Sequence, residues 1–195
     1  MRIIAGKLSG RRFGAPGGRG TRPTSDRVRE ALASSLQARG AFEGAVVLDL
    51  FAGTGALSFE ALSRGASFAV AVDSDGQVIR QLVQSARELG VERDLRAMRA
   101  DLLRDPSAAV VKLPRDHGRF TLVFADAPYS EIERVPAILT ALLNADRVAP
   151  GAWLVVEHPW KHDWQWPNGL ASDAEYRYGQ TGISLGVYEP EKGSP

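Results

Sequence analysis

The stretch Ala-Val-Val-Leu-Asp-Leu-Phe-Ala-Gly-Thr-Gly, residues 45–55, decides the fold of this chain. It begins with an apolar run that is typical of a central strand buried on both faces of a parallel sheet. It ends in a turn where Gly53 and Gly55 leave the backbone open to a ligand and permit positive φ. A helical pattern follows from Ala56, and the free N–H groups of that helix would face the ligand. The stretch predicts a nucleotide-type pocket, and Asp49 is expected to be paired or to face the ligand.

Downstream of this stretch, strand and helix patterns alternate. Strands are predicted at 45–51, 67–73, 95–101, 120–126 and 152–158, and helices at 56–64, 75–89, 105–112 and 131–145. This alternation requires an α/β fold with a parallel sheet and helices on both faces. The end differs, because residues 175–178 and 183–188 flank a glycine-bounded turn and predict an antiparallel hairpin. Residues 1–23 are expected to form a basic hairpin and linker, and residues 24–195 the main domain.

The bulk composition excludes several classes of protein. The chain has 195 residues, 44% of them hydrophobic, and no cysteine. The lack of cysteine excludes disulfides and cysteine-ligated metal sites and suits a reducing cytosol. No apolar run approaches membrane-spanning length, and the first residues have no signal-peptide pattern. A cytoplasmic protein without a membrane partner is therefore expected. A monomer is expected as well, although the sequence does not determine the oligomeric state.

Positive charge is concentrated near the N-terminus. Residues 1–40 carry nine Lys or Arg against two acidic residues, whereas the net charge of the whole chain is only +1. A basic segment on a slightly acidic body indicates a polyanionic partner, with a merely solubilising arm as the alternative. Six residues are predicted to contact the phosphates of a nucleic acid: Lys7, Arg11, Arg12, Arg19, Arg22 and Arg27. Arg22 and Arg27 have the alternative role of closing over a bound ligand.

Asp73 ends the second predicted strand, 18 residues after Gly55. From that position a carboxylate can accept hydrogen bonds from both hydroxyls of a ribose. Dinucleotide-dependent oxidoreductases share this pattern, but Ser58 stands where the third glycine of their fingerprint would be. That difference weakens, but does not exclude, the alternative that the chain is an oxidoreductase that binds NAD.

The sequence Asp126-Ala-Pro-Tyr129 begins at the end of the fourth predicted strand, at the carboxyl edge where such sheets bind ligands. The Asp126 carboxylate and a backbone carbonyl can accept the two protons of an exocyclic amine. Pro128 stiffens the turn, and Tyr129 offers a flat face to a base turned out of its helix. Attack of such an amine on a sulfonium methyl donor would need positioning, without a metal or a covalent intermediate.

Together these motifs resemble those of class I S-adenosylmethionine-dependent methyltransferases. Three further stretches narrow the resemblance to the RsmD family: Arg-Ile-Ile-Ala-Gly-Lys at 2–7, Arg-Pro-Thr-Ser-Asp-Arg-Val-Arg-Glu at 22–30, and Glu-Ala-Leu-Ser-Arg-Gly at 60–65. Members of that family methylate a guanine N2 of 16S ribosomal RNA in the small subunit. The resemblance implies a Rossmann-like fold with a seven-stranded, mostly parallel sheet, an antiparallel last strand and a small basic N-terminal extension.

The resemblance also implies a cofactor, S-adenosylmethionine, and a partner, 16S rRNA or the assembling small subunit. Asp49 and the glycine turn are expected to hold the methionine moiety, Asp73 the ribose, and Asp101 with Leu102 the adenine. The expected cofactor contacts are Asp49, Phe51, Ala52, Gly53, Thr54, Gly55, Asp73, Ser74, Asp101 and Leu102. The expected catalytic residues are Asp126, Ala127, Pro128 and Tyr129. Ala127 stands where the family usually has a proline. The alanine still offers its carbonyl as an acceptor, but the change affects the rigidity of the loop.

Two other functions stay open at this point. The same loop chemistry serves adenine N6 or cytosine N4, so a DNA amino-methyltransferase is one alternative, although no separate DNA-recognition domain is evident. Ala127 motivates the second, an RNA- or nucleotide-binding module with impaired catalysis.

A metal site is not expected, because His158 and His162 are separated by Pro159 and cannot share a helical face. The tryptophans at 160, 164 and 166 are expected to pack over the sheet edge, with stacking on RNA bases as the alternative.

Overall fold

A computed structural model describes residues 1–14 and 26–190, and its elements follow the predicted alternation. The helices are α1 (Asp26–Ala38), α2 (Ala56–Ser63), α3 (Gly76–Leu89), α4 (Pro106–Val111) and α5 (Val135–Asn144), with a 3₁₀ helix at Tyr129–Arg134. The strands are β1 (Val46–Asp49), β2 (Phe68–Asp73), β3 (Leu95–Arg99), β4 (Phe120–Ala125), β5 (Val148–Pro159), β6 (Leu170–Tyr178) and β7 (Thr181–Tyr188). No helix in the described part of the chain has both the length and the hydropathy needed to cross a membrane.

The chain forms two compact units, Met1–Ala100 and Asp101–Pro195. The strands of the first unit run in the order β3-β2-β1 and are all parallel. Strands β1 and β2 are almost wholly buried, as the apolar run at 45–48 predicts. The predicted boundary at residue 23 lies between the described ranges and stays a prediction.

The strands of the second unit run in the order β4-β5-β7-β6. Strand β5 is parallel to β4, and β7 is antiparallel to both β5 and β6. The predicted α/β fold, with a seven-stranded mixed sheet and an antiparallel last strand, is therefore confirmed. The predicted helix at 131–145 is instead a 3₁₀ turn followed by α5, because Pro136 occupies the first turn of α5, where its missing N–H is not needed.

Residues 1–14 form the predicted hairpin, and it packs firmly against α2. Ile3, Leu8 and Phe13 are buried, and a single bridge pairs Arg2 with Arg12. The backbone of the hairpin crosses α2 so closely that a Cβ on Gly6 would lie 1.9 Å from the Ser63 carbonyl oxygen.

A buried carboxylate in α2 anchors the hairpin. Glu60 is only 2% exposed, and it accepts hydrogen bonds from the backbone N–H groups of Ile4 at 2.8 Å and Ala5 at 3.1 Å. Arg64 pairs with the same carboxylate at 2.7 Å. The Ser63 hydroxyl adds a bond from the N–H of Leu8 at 2.9 Å. The hairpin of residues 1–14, called the arm below, is therefore part of the scaffold of the first unit.

Candidate active site

Asp49 closes β1 at the start of the glycine turn and is 1% exposed. Its Oδ2 accepts a hydrogen bond from the Ser58 hydroxyl at 2.8 Å. Its Oδ1 is also buried and has no hydrogen-bond partner among the described residues. Sequence reasoning missed Ser58, although the missing third glycine of the dinucleotide fingerprint marked its position. The carboxylate is thus fixed at one oxygen and can accept a donor at the other.

Burial raises the pKa of Asp49 to about 6, and the nearby charge of Asp73 acts in the same direction. The bond from the Ser58 hydroxyl and the nearby backbone N–H groups of Ser58 and Phe51 oppose that shift. The pKa of Asp49 in the folded protein lies above its ordinary value of 3.8. The stability that Asp49 contributes is therefore fully present at pH values below 3.8 and is lost as the pH rises through about 6. Keeping the carboxylate ionised costs about 3 kcal/mol at pH 8.

We therefore expect Asp49→Asn to raise the melting temperature relative to wild type at pH 8. The gain should shrink as the pH falls toward 4.5, because wild-type Asp49 is then largely neutral in the folded protein. Thermal unfolding at both pH values measures this difference. Glu92→Gln, at an exposed residue of the same unit, is the control for changes in surface charge. A gain of the same size at both pH values would contradict the raised pKa.

The two glycines of the turn have different roles. Gly53 has φ 49°, and a Cβ there would meet nothing closer than the Phe51 carbonyl oxygen at 4.0 Å. Gly55 has φ 78° and caps α2, but a Cβ there would lie 2.5 Å from Leu82 and 2.7 Å from the Phe59 ring. Only Gly53 leaves the turn open as the sequence predicts, whereas Gly55 permits packing between helices.

Asp73, at the end of β2, lies directly beside the glycine turn. Its Oδ2 accepts the backbone N–H of Gly53 at 3.0 Å, and its Oδ1 accepts the N–H of Asp75 at 2.9 Å. Asp49, Asp73 and the turn are therefore brought together in the first unit, as the sequence predicts. Ser74 is exposed, and its carbonyl accepts a hydrogen bond from Arg99.

The remaining expected contacts in the turn are held by backbone hydrogen bonds. The N–H of Ala52 donates to Val72 in the neighbouring strand at 2.9 Å, and Ala52 also accepts from Gly55 at 2.7 Å. Ala52 is buried, whereas Phe51 and Thr54 are half-buried. These bonds fix the turn against β2.

Asp101 and Leu102 begin the second unit. The Asp101 Oδ1 accepts the N–H groups of Leu103 at 3.1 Å and Arg104 at 3.0 Å, which closes a tight turn. Leu102 is buried, whereas Asp101 is exposed. Arg134 donates to the Leu103 carbonyl and ties this turn to the 3₁₀ helix.

The predicted catalytic loop leaves the end of β4 and enters that 3₁₀ helix. Asp126 is half-buried and Ala127 is buried, while Pro128 and Tyr129 are exposed. The Pro128 carbonyl accepts the N–H of Glu131 at 2.8 Å, so the turn is closed at its proline. Burial and the neighbouring Glu157 raise the pKa of Tyr129, which keeps its hydroxyl protonated at neutral pH.

Two tryptophans and a histidine near β5 pack against one another. His158 is buried, with its Nε2 2.9 Å from the Ser184 hydroxyl, and Trp164 stacks on its ring at a centroid distance of 6.1 Å. Trp166 meets Trp164 edge-on and occupies the space above Gly186. Within the described ranges, no cluster of three or more His, Asp or Glu could hold a metal ion.

The predicted RNA-contacting cations differ in their surroundings. Lys7, Arg11, Arg12 and Arg27 are all exposed. The Arg11 guanidinium donates to the carbonyls of Glu88 at 2.6 Å and Leu89 at 2.7 Å, so it caps the C-terminus of α3. Arg19 and Arg22 lie outside the described residues.

Comparison with known proteins agrees with this architecture. A family model described as Conserved hypothetical protein 95 matches residues 1–187. Ribosomal RNA small subunit methyltransferase D of Haemophilus influenzae is 32% identical over 157 residues, covering 80% of this chain and 78% of that protein. YlbH of Bacillus subtilis is 33% identical over 186 residues, covering 95% and 97%. The solved structure of yhhF from Escherichia coli shares 30% identity with a TM-score of 0.79, covering 98% and 99%.

The strand order and the acidic strand ends around a glycine turn define a class I methyltransferase. The family model matches residues 1–187 and the solved structure covers 98% of this chain, so the fold is shared over nearly the whole length. This chain belongs to the family described as Conserved hypothetical protein 95, the RsmD-type rRNA methyltransferases.

Proposed function

We propose that this protein transfers a methyl group from S-adenosylmethionine to the exocyclic N2 of a guanine in 16S rRNA. The observation that carries this proposal is the loop Asp126–Tyr129 at the carboxyl end of β4, in a chain of the RsmD family. An rRNA substrate, free or in the assembling small subunit, implies a cytoplasmic location.

The residues of the glycine turn fit the proposed donor. The unpartnered Oδ1 of Asp49 is an acceptor suited to the ammonium group of a methionine moiety. Asp73 lies beside the turn, where its oxygens can accept from ribose hydroxyls, and Gly53 leaves room for close approach. Asp101 and Leu102 are proposed to bind the adenine. The donor, when bound, supplies an electrophilic methyl carbon.

The proposed catalytic step depends on orientation of the acceptor amine. Asp126 and the Ala127 carbonyl accept the two N–H groups of guanine N2, which directs the nitrogen lone pair toward the methyl carbon. As the new N–C bond would form, the bond between that methyl carbon and the donor sulfur would break, leaving the sulfur as a neutral thioether. The nitrogen would lose one proton, which the Asp126 carboxylate accepts. Tyr129 stacks on the base. Catalysis of this kind relies on positioning.

Donor binding gives a first test. Asp73→Ala removes an acceptor that is used equally before and during the reaction, so KM for the donor should rise about tenfold while kcat stays nearly level. Asp73→Asn keeps one acceptor oxygen and should give an intermediate KM. Calorimetry with S-adenosylmethionine measures affinity directly. Unchanged affinity in Asp73→Ala would remove Asp73 from the donor site.

Tritium transfer from labelled donor separates the proposed function from its two alternatives. The protein is incubated with small-subunit particles, with naked rRNA and with DNA. We expect label in rRNA, free or in the particle. Label in DNA alone would indicate a DNA amino-methyltransferase, and RNA binding without label would indicate a module that has lost catalysis.

The exposed cations of the arm are proposed to contact rRNA. Lys7→Gln combined with Arg12→Gln should reduce the slope of log K against log salt by about 0.7–0.9 per lost phosphate contact. The melting temperature should stay level, because neither side chain is buried. Arg11→Gln is the matched comparison, since it removes the cap of α3 and should lower the melting temperature instead. An unchanged salt slope in the double variant would move the RNA contacts elsewhere.

A further inference from the structure

The hydroxyl group of Tyr129 forms hydrogen bonds with two residues that lie much later in the sequence of the second unit. It lies 2.8 Å from the Thr181 hydroxyl and donates toward the Glu157 carboxylate at 3.3 Å. Thr181 is the first residue of β7, and Glu157 lies near the end of β5. None of the sequence motifs assigns a role to Thr181.

The pairing of β5 with β7 explains why these two side chains meet the same hydroxyl. Glu157 pairs with Ile183 and Pro159 pairs with Thr181, so positions 157 and 181 lie on one face of the sheet. On the opposite face, His158 fills the space above Gly182, where a Cβ would lie 2.5 Å from its ring. The packing on that opposite face holds β5 and β7 together, which fixes the backbone positions from which Glu157 and Thr181 project.

The two contacts are complementary as hydrogen bonds. Glu157, when ionised, can only accept, so the tyrosine O–H donates to it. The tyrosine oxygen is then left to accept from Thr181, which is the shorter of the two contacts. The ring is held at its hydroxyl end by these bonds and at its other end by the backbone after Pro128. These bonds do not bury the residue, because Tyr129 as a whole stays 38% exposed.

We propose that Thr181 and Glu157 are positioning residues that fix the ring plane of Tyr129 for stacking on the target base. This inference rests on the proposed function. A ring that is ordered before the base arrives lowers the entropic cost of binding.

A double-mutant cycle tests the assignment. Thr181→Val should lower kcat/KM for rRNA about three- to tenfold, the usual effect of one lost hydrogen bond, with donor affinity unchanged. Thr181→Ser should restore most of it. In a Tyr129→Phe background, which has no hydroxyl to hold, Thr181→Val should have little further effect. An equal loss in both backgrounds, or no rescue by serine, would overturn the proposal.

A second readout does not depend on methyl transfer. The chain has four tyrosines, so the ring signals of Tyr129 can be assigned in a tyrosine-labelled NMR sample by their loss in Tyr129→Phe. In Thr181→Val these signals should shift and broaden, and in Thr181→Ser they should stay close to wild type. Unchanged signals in Thr181→Val would overturn the proposal. If the wild-type protein methylates no RNA while Thr181→Val still shifts the ring signals, the proposed function alone would be refuted.

Discussion

Asp126→Ala is expected to lower kcat for methyl transfer about a thousandfold while donor affinity stays within twofold of wild type. The carboxylate is proposed to orient the acceptor amine and hold its proton, and loss of such a preorganised group costs two to three orders of magnitude. Single-turnover methylation of rRNA measures the rate, and calorimetry measures donor affinity.

Asp126→Asn is the matched control for that experiment. It keeps an acceptor oxygen of similar size but cannot hold a proton at neutral pH, so its rate should lie between those of wild type and Asp126→Ala. The melting temperatures of all three proteins should agree within a few degrees, since Asp126 is only half-buried. Near-normal turnover of Asp126→Ala under saturating RNA would show that another residue acts on the amine.

The second large effect is expected on stability. Glu60→Ala should lower the free energy of unfolding by about 3–5 kcal/mol, the usual cost of breaking a buried ion pair. The carboxylate joins the N–H groups of Ile4 and Ala5 to Arg64, whose side chain is only 8% exposed. Removing it leaves a buried cation and two backbone donors without their acceptor.

Urea unfolding and amide hydrogen exchange measure the two parts of this effect. Exchange at Ile4 and Ala5 should accelerate strongly in Glu60→Ala, because the arm loses its anchor on α2. Glu43→Ala, at an exposed residue of the same unit, should change the free energy of unfolding by less than about 0.5 kcal/mol. Equal stability of Glu60→Ala and Glu43→Ala would mean that the arm is not held through this carboxylate.

Short-range patterns in the sequence predicted most of the fold. The apolar run before the glycine turn predicted β1, and the recurring alternation predicted the strands and helices that follow. The C-terminal hairpin followed from its glycine-bounded turn, although β6 begins at Leu170, earlier than predicted. These features depend on residues within a few positions of one another, which is why periodicity and turn chemistry are informative about them.

The contacts that shape the site were mostly not predictable, because they join distant parts of the chain. Thr181 and Tyr129 are 52 residues apart, and Ile4 and Glu60 are 56 apart. Arg11 was predicted to contact RNA, yet its guanidinium caps a helix that ends 78 residues away. Charge and position alone could not distinguish that cap from the exposed Lys7 and Arg12.

The family's motifs brought Asp49, Asp73 and the loop at Asp126 into the hypothesis before their environments were known. The structure adds what each carboxylate contacts. Asp49 has one bonded and one unpartnered oxygen, whereas both oxygens of Asp73 accept backbone N–H groups. The two residues are therefore tested by different measurements. Substitution of Asp49 is expected to change how stability depends on pH, and substitution of Asp73 is expected to change the affinity for the donor.

The central claim is that the exocyclic N2 of a guanine in 16S rRNA receives the methyl group. Incubation of unmodified small-subunit RNA with tritium-labelled S-adenosylmethionine, followed by digestion to nucleosides, identifies the labelled product by chromatography and mass. The account predicts label in N2-methylguanosine with the wild-type protein and almost none with Asp126→Ala. Label in any other nucleoside, or equal label with both proteins, would contradict it.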